Sequence, residues 1–227
     1  MILIIGAGSW LVQQIAAPLA EDYPVTLIGG WRPSKSDSQA TGAENIFYQT
    51  TDYREVRPIL KRCESESQVT IIFAGIGAGP SLLAELDMTE VRNIVDTHIS
   101  FAIELASRVL PHMIRQRFGR FIFFGSSEGS RGVVGGATYT TVKSAHKGLS
   151  RSIAVEYGRF GITSNVIDLG YLGAGYADKL SPEVRLALDE QSRKLPPITP
   201  NDIVGTIRAL IQNPGISGSV ITVDGAR

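Results

Sequence analysis

The strongest constraint in this 227-residue chain is a regular alternation of short apolar runs with longer stretches of helical period. Ile2–Ile5, Val25–Ile28, Val69–Ala74, Phe121–Phe124, Ile162–Asp168 and Val220–Val223 read as strands, with Asn45–Gln49 a weaker one. A strand with one wet face alternates apolar and polar residues, whereas a continuous apolar run belongs to a strand covered on both faces, as in parallel sheets. Helical patterns at Leu11–Glu21, Tyr53–Ser65, Glu90–Gln116, Thr138–Tyr157, Pro182–Lys194 and Asn201–Asn213 fill the intervals. This order predicts an α/β fold: a doubly wound parallel sheet with right-handed crossovers, in a single domain spanning 1–227. No internal repeat, low-complexity tract or linker interrupts it, and Gly29–Gly42 reads as a polar loop.

Lysine plus arginine total 22 and aspartate plus glutamate total 22, so no net field steers the chain toward nucleic acid or an anionic membrane. The opening run Met1–Ile5 is short and lacks a basic leader, which argues against a signal peptide. No apolar stretch of about eighteen residues predicts a spanning helix. The single cysteine, Cys63, excludes an internal disulfide, fits a reducing cytoplasmic setting and reads as structural.

Ligands of parallel α/β sheets bind beyond the carboxyl ends of the strands. The segments to inspect are Gly6–Leu11, Gly29–Lys35, Gly75–Pro80, Gly125–Gly129 and Leu169–Gly175, each bearing glycine, as expected where backbone approaches a ligand. Further on, Tyr139-Thr-Thr-Val-Lys143 falls in a helical pattern whose i, i+4 spacing sets phenol and ammonium on one face. A tyrosine with a pKa near 10 exchanges protons poorly at neutral pH. A neighbouring cation stabilises its phenolate, and roughly 1.4 kcal/mol of such stabilisation makes the phenol ten times more acidic. Such pairs are common by chance, but here a strand runs into Gly125-Ser126-Ser127 and sets a hydroxyl at a strand exit 13 positions before Tyr139.

GRFIFFGSSEG followed by YTTVKSAHKG resembles the serine–tyrosine–lysine core of the short-chain dehydrogenase/reductase family, and within it the bacterial 3-oxoacyl-carrier-protein reductases. The resemblance continues through SIAVEYGRFGITSNVIDLG to the terminal VITVDGA. It implies a Rossmann-type fold, a nicotinamide cofactor and carbonyl/alcohol redox chemistry. Family spacing selects Ser126 as the hydroxyl that orients the carbonyl, with Ser127 as runner-up. Tyr139 would then transfer the proton, and Lys143 would hold the nicotinamide ribose and tune Tyr139. Hydride arrival creates an alkoxide that needs positioned donors, which agrees with these roles. The family's fourth relay member, an asparagine that helps bind a water, falls by ungapped count on His98, to be read either as a modified relay or as a packing residue.

Several positions depart from the family. The first turn, Gly6-Ala7-Gly8-Ser9-Trp10-Leu11-Val12, keeps the first glycine of the family's Gly-x-x-x-Gly-x-Gly and has Trp10 and Val12 for the other two; read as Gly-x-Gly-x-x-Gly, it keeps Gly6 and Gly8. Trp10 would block close approach or swing aside as a lid, and Val12 would push the first helix away from the sheet. The cofactor residues implied are Gly6, Gly8, Ser9, Trp10, Leu11, Ala74, Gly75, Lys143 and Gly170, with Leu169 replacing a usual proline. Asp52 stands at the adenine-contacting position and equally at a helix N-cap. No acid occupies the second strand exit, so Arg32, with Ser34 and Lys35, either meets the 2′-phosphate of NADP or forms a solvated loop cluster.

The expectation is an NADP-dependent carbonyl reductase or alcohol dehydrogenase, with NAD the weaker alternative and no metal site. The rivals are a degenerate member that binds without turnover and a dehydratase or isomerase using Tyr139 as base. Tyr171, Leu172 and Tyr176 in the variable region suggest a partly apolar small-molecule substrate. Arg115, Arg117 and Arg159 form either a basic patch for an acidic carrier protein or a scattered solvated set. The two long helices resemble the family's oligomer interface and imply a homodimer or homotetramer.

Overall fold

The computed structural model describes residues 1–29, 46–49, 57–74, 79–174, 181–192 and 198–225. Seven strands form one sheet: β1 (Ile2–Ile5), β2 (Val25–Ile28), β3 (Ile46–Gln49), β4 (Thr70–Phe73), β5 (Gly119–Ser126), β6 (Ile162–Leu169) and β7 (Val220–Val223). Their order is β3-β2-β1-β4-β5-β6-β7, and every neighbouring pair is parallel. The order reverses at β1, which pairs β4 in the register Ile2↔Thr70 to Ile5↔Phe73. This one seam divides the sheet by sequence: β1 to β3 lie on one side and β4 to β7 on the other.

The helices are α1 (Trp10–Ala20), α2 (Arg57–Glu64), α3 (Met88–Val95), α4 (Phe101–Gln116), α5 (Ser127–Arg131), α6 (Ala137–Tyr157), α7 (Pro182–Ser192) and α8 (Pro200–Gln212). They cover both faces, and alternate strand residues enter two cores. Ile2, Ile4, Ile72, Ile122, Phe124 and Ile167 pack with residues of α1 and α8. Leu3, Ile71, Phe73, Phe121, Phe123 and Val166 pack with residues of α2, α4 and α6. Each such side chain contributes about 1.5–3 kcal/mol by leaving water. Both faces are dry along β1, β2, β4, β5 and β6, which explains their continuous apolar runs, whereas the edge strand β7 departs from the expectation, with Val220 and Thr222 exposed. Cys63 lies in the second core, where burial pushes its thiol up to about 12, leaving it protonated and inert.

The structure differs from the sequence expectation at several element ends. β5 extends two residues beyond each end of Phe121–Phe124, because its polar flanks are paired to β6 from Gly119↔Ile162 to Ser126↔Leu169. Arg120 is buried there: its guanidinium donates to the carbonyls of Ile211, Gly119 and Gly161 and lies 4.2 Å from the Phe118 ring centroid. α1 begins at Trp10, one residue early. The pattern read as one helix over Glu90–Gln116 is α3 and α4 joined by a π-helical turn, Asp96–Ser100, with Asp87 capping the start by accepting from the Thr89 amide at 2.7 Å. Of the expected helix Tyr53–Ser65, residues 53–56 lie outside the described residues. Among the described residues, no helix is long and apolar enough to cross a membrane.

Candidate active site

β5 carries Ser126 to the carboxyl edge of the sheet as its last residue. There Ser126 also caps α5, its Oγ accepting from the Gly129 amide at 3.1 Å. Ser127 turns the other way and donates to the Leu169 carbonyl at 3.3 Å, which separates the two candidate serines. Tyr139 and Lys143 lie one turn apart in the first half of α6. Lys143 is 4% exposed, with Nζ 2.7 Å from the Phe124 carbonyl oxygen and 5.7 Å from the Tyr139 ring centroid. The three residues meet at Gly129. A Cβ built there would lie 3.3 Å from Ser126 Cβ, 3.6 Å from Tyr139 Cε1 and 3.7 Å from Lys143 Cβ. Gly129 was not singled out in the sequence; its signal is the glycine three residues after the strand's terminal serine.

His98 lies in the π turn, half-buried. Burial, with the Lys143 charge as a second cause, holds its pKa down to about 4. The ring is therefore neutral across pH 5–8. His146, two turns beyond Tyr139 and one beyond Val142 on α6, was missed in the sequence. Its Nε2 donates to the His98 carbonyl at 2.9 Å, and its ring lies 5.2 Å from that of Phe123. Burial and then Lys143 lower its pKa to about 4, against the opposing effect of the bond to His98.

At the first turn Gly6 adopts φ +110°, where an added Cβ would strike the Ala74 carbonyl oxygen. The residues that follow rise into α1 with Gly8 exposed and Ser9 at the N-cap, and the Ser9 side chain makes no cap hydrogen bond. First-turn amides thus remain for an acceptor, an arrangement that suits a phosphate. Trp10 is half-buried and folded against the core, Leu11 is buried, and Val12 is 0% exposed within that core. Trp10 and Val12 both pack with the first core, and the uncapped helix start with its first-turn amides fits a dinucleotide phosphate. At Gly170 an added Cβ would lie 2.6 Å from Asp224 Cα, so packing against the end of β7 by itself requires glycine there. Arg32, Asp52, Gly75 and Tyr176 lie outside the described residues, as do Ser34 and Lys35.

Two further groups adjoin the site. Lys147, one turn beyond Lys143, reaches Asp168 of β6 with Nζ 2.6 Å from Oδ2. Tyr171 donates to Asp189 of α7 at 2.8 Å, and Arg185 of α7 donates to the Gly173 carbonyl at 3.2 Å, which ties the variable segment to the strand exits. Arg115, Arg117 and Arg159 are exposed at the amino ends of β5 and β6. An eight-residue strand spans about 26 Å, so they stand at the opposite edge of the sheet from Ser126.

A doubly wound parallel sheet with a serine, a tyrosine and a buried lysine at its carboxyl edge defines a Rossmann-type oxidoreductase. The profile of the short chain dehydrogenase family matches residues 1–185. The chain is 31% identical over 234 residues to the 3-oxoacyl-[acyl-carrier-protein] reductase MabA of Mycobacterium tuberculosis, covering 99% of this chain and 91% of that one. It is 26% identical over 185 residues to the corresponding FabG of Escherichia coli, covering 81% and 76%. The fold matches that of actinorhodin polyketide ketoreductase with NADPH, with a TM-score of 0.81 at 21% identity, covering 99% and 96%. The chain belongs to the short-chain dehydrogenase family.

Proposed function

We propose that this protein is an NADP-dependent carbonyl reductase acting on a 3-oxoacyl or similar ketone, small or carrier-bound. The observation that carries this reading is the convergence of Ser126, Tyr139 and Lys143 around Gly129. NADPH, when bound, supplies the hydride. Ser126 then orients the carbonyl, Tyr139 gives its phenolic proton to the developing alkoxide, and the Lys143 charge stabilises the negative charge left on Tyr139 Oη. The turn Gly6–Leu11 with Ala74 takes the pyrophosphate side, and Arg32 takes the 2′-phosphate through charge-assisted hydrogen bonds.

The substrate class draws support from the relatives' names and from the mouth of the site. The segments 79–88 and 132–136 meet through a backbone bond from the Ser81 amide to the Gly135 carbonyl, at 3.0 Å. They expose Leu82, Leu83, Val133 and Val134, an apolar rim suited to an acyl chain. The non-redox rival rested on Trp10 and Val12, and the packing of both with the first core supports the redox reading over it. Ile103 of α4 and Val155 of α6 are exposed apolar residues on the long helices, which supports a homodimer or homotetramer.

The test is the oxidation of NADPH, and separately of NADH, by the wild type and Tyr139→Phe with a short 3-oxoacyl thioester. Turnover should prefer NADPH and fall by about two to four orders of magnitude in the variant, with melting unchanged. A variant that keeps its turnover removes Tyr139 from the chemistry. A wild type that binds neither cofactor overturns the redox reading.

A further inference from the structure

α6 presents three residues at i, i+4 and i+8 toward the edge of the sheet: Tyr139, Lys143 and Lys147. The proposed reaction uses the first two. Lys147 reaches instead for Asp168, a residue 4% exposed near the end of β6. Asp168 is the register partner of Gly125, which lies between Phe124, whose carbonyl holds Lys143, and Ser126. A Cβ on Gly125 would strike Asp168 Oδ1 and lie 2.8 Å from Val166 Cγ1. The carboxylate therefore occupies the space a side chain at 125 would take, directly over the strand segment that carries the site. A charge buried this deeply needs a partner, and Lys147, with its side chain 26% exposed, supplies one from the rim.

We propose that Asp168, clasped by Lys147 and seated over Gly125, is a positioning residue that keeps Lys143 charged inside the site. The inference rests on the cationic role given to Lys143 above. Burial drives Lys143 down to about 8, and Asp168 opposes that fall. Among the described residues, the groups facing Lys143 are Tyr139, His146 and Lys147 from α6, His98 from the π turn, Ser126 and the Phe124 carbonyl from β5, and Asp168 from β6. Both histidines are neutral at physiological pH, so the Asp168–Lys147 pair sets the local field. Without the carboxylate, Lys147 would repel a buried ammonium at the adjacent turn, and Lys143 would lose its proton near neutrality.

The experiment follows the Lys143 Cε resonance against pH in the full-length protein by isotope-edited NMR, alongside the pH–rate profile of NADPH-dependent reduction. Asp168→Asn should lower the Lys143 midpoint by about one pH unit or more. The alkaline limb of the rate profile should move the same way. Lys147→Gln should raise the midpoint, and the double variant should return it close to the wild-type value. An unmoved midpoint in Asp168→Asn, or changes of the same sign in both single variants, overturns the proposal. If Asp168→Asn does not fold, Lys147→Gln and Lys147→Arg carry the test, with arginine holding the wild-type midpoint. A wild type without turnover whose midpoints still move in opposite directions supports the assignment and sinks only the reductase reading.

Discussion

His146 fixes its own tautomer. A carbonyl oxygen can only accept, so Nε2 must carry the proton that bonds His98, and the buried Nδ1 keeps its lone pair with no hydrogen-bond partner among the described residues. With His98 it forms a pair of rings whose folded pKa of about 4 lies below the ordinary 6.5. Above pH 6.5 both folded and unfolded states are neutral, and this contribution to stability is fully present. As pH falls from 6.5 toward 4 the unfolded chain takes up protons that the folded chain refuses, so stability drops across that window. His146→Leu should flatten the fall in melting temperature between those values while costing about 1 kcal/mol at neutral pH for the lost bond. An unchanged acid slope would contradict the assignment. Ser126, Tyr139 and Lys143 were legible in the sequence because a strand exit and a helical spacing are both local signals. His146, Gly125, Lys147 and Asp168 were not, because their partnership exists only once β5 and β6 are in register beneath α6.

At the scale of elements, α1 and β5 show where reading by pattern succeeds and where it stops. Hydrophobic runs marked the cores of every strand, yet the ends of β5 escaped notice because its flanking Arg120 and Ser126 are polar and are satisfied by carbonyls and amides from elsewhere. In α1, comparison with a glycine pattern cast Val12 as an intruder that would displace the helix. It is instead wholly buried in a cluster that also holds the small side chains of Ala7, Ala16, Ala20 and Ala74. Val12→Gly should therefore not repair the cofactor turn. It should lower stability by about 2.5–4 kcal/mol, summing the burial of a valine and the cost of glycine in a helix. Denaturant unfolding measures this, and a variant as stable as the wild type would return Val12 to the role of obstacle.

At the scale of the molecule, the seam between β1 and β4 has a consequence for how the chain can be cut. Every strand before the turn at residues 65–69 lies on one side of it, and every strand after lies on the other. Across the seam, α8 is fastened to the end of α1, where Arg208 donates to Asp22 Oδ2 at 2.6 Å and to the Pro18 carbonyl at 2.8 Å. A chain severed between Ser65 and Glu66 would thus yield two pieces, each an unbroken portion of sheet with one raw edge that only the other piece can pair. Mixed in solution, the two halves should complement one another into a single cooperative unit, detected by a shared melt that neither gives alone. Failure to associate at micromolar concentration would count against the seam as a natural line of division. The first turn belongs to one piece and Ser126, Tyr139 and Lys143 to the other, so NADPH bridging them would act as a molecular glue, tightening the reassembly of a protein in two parts.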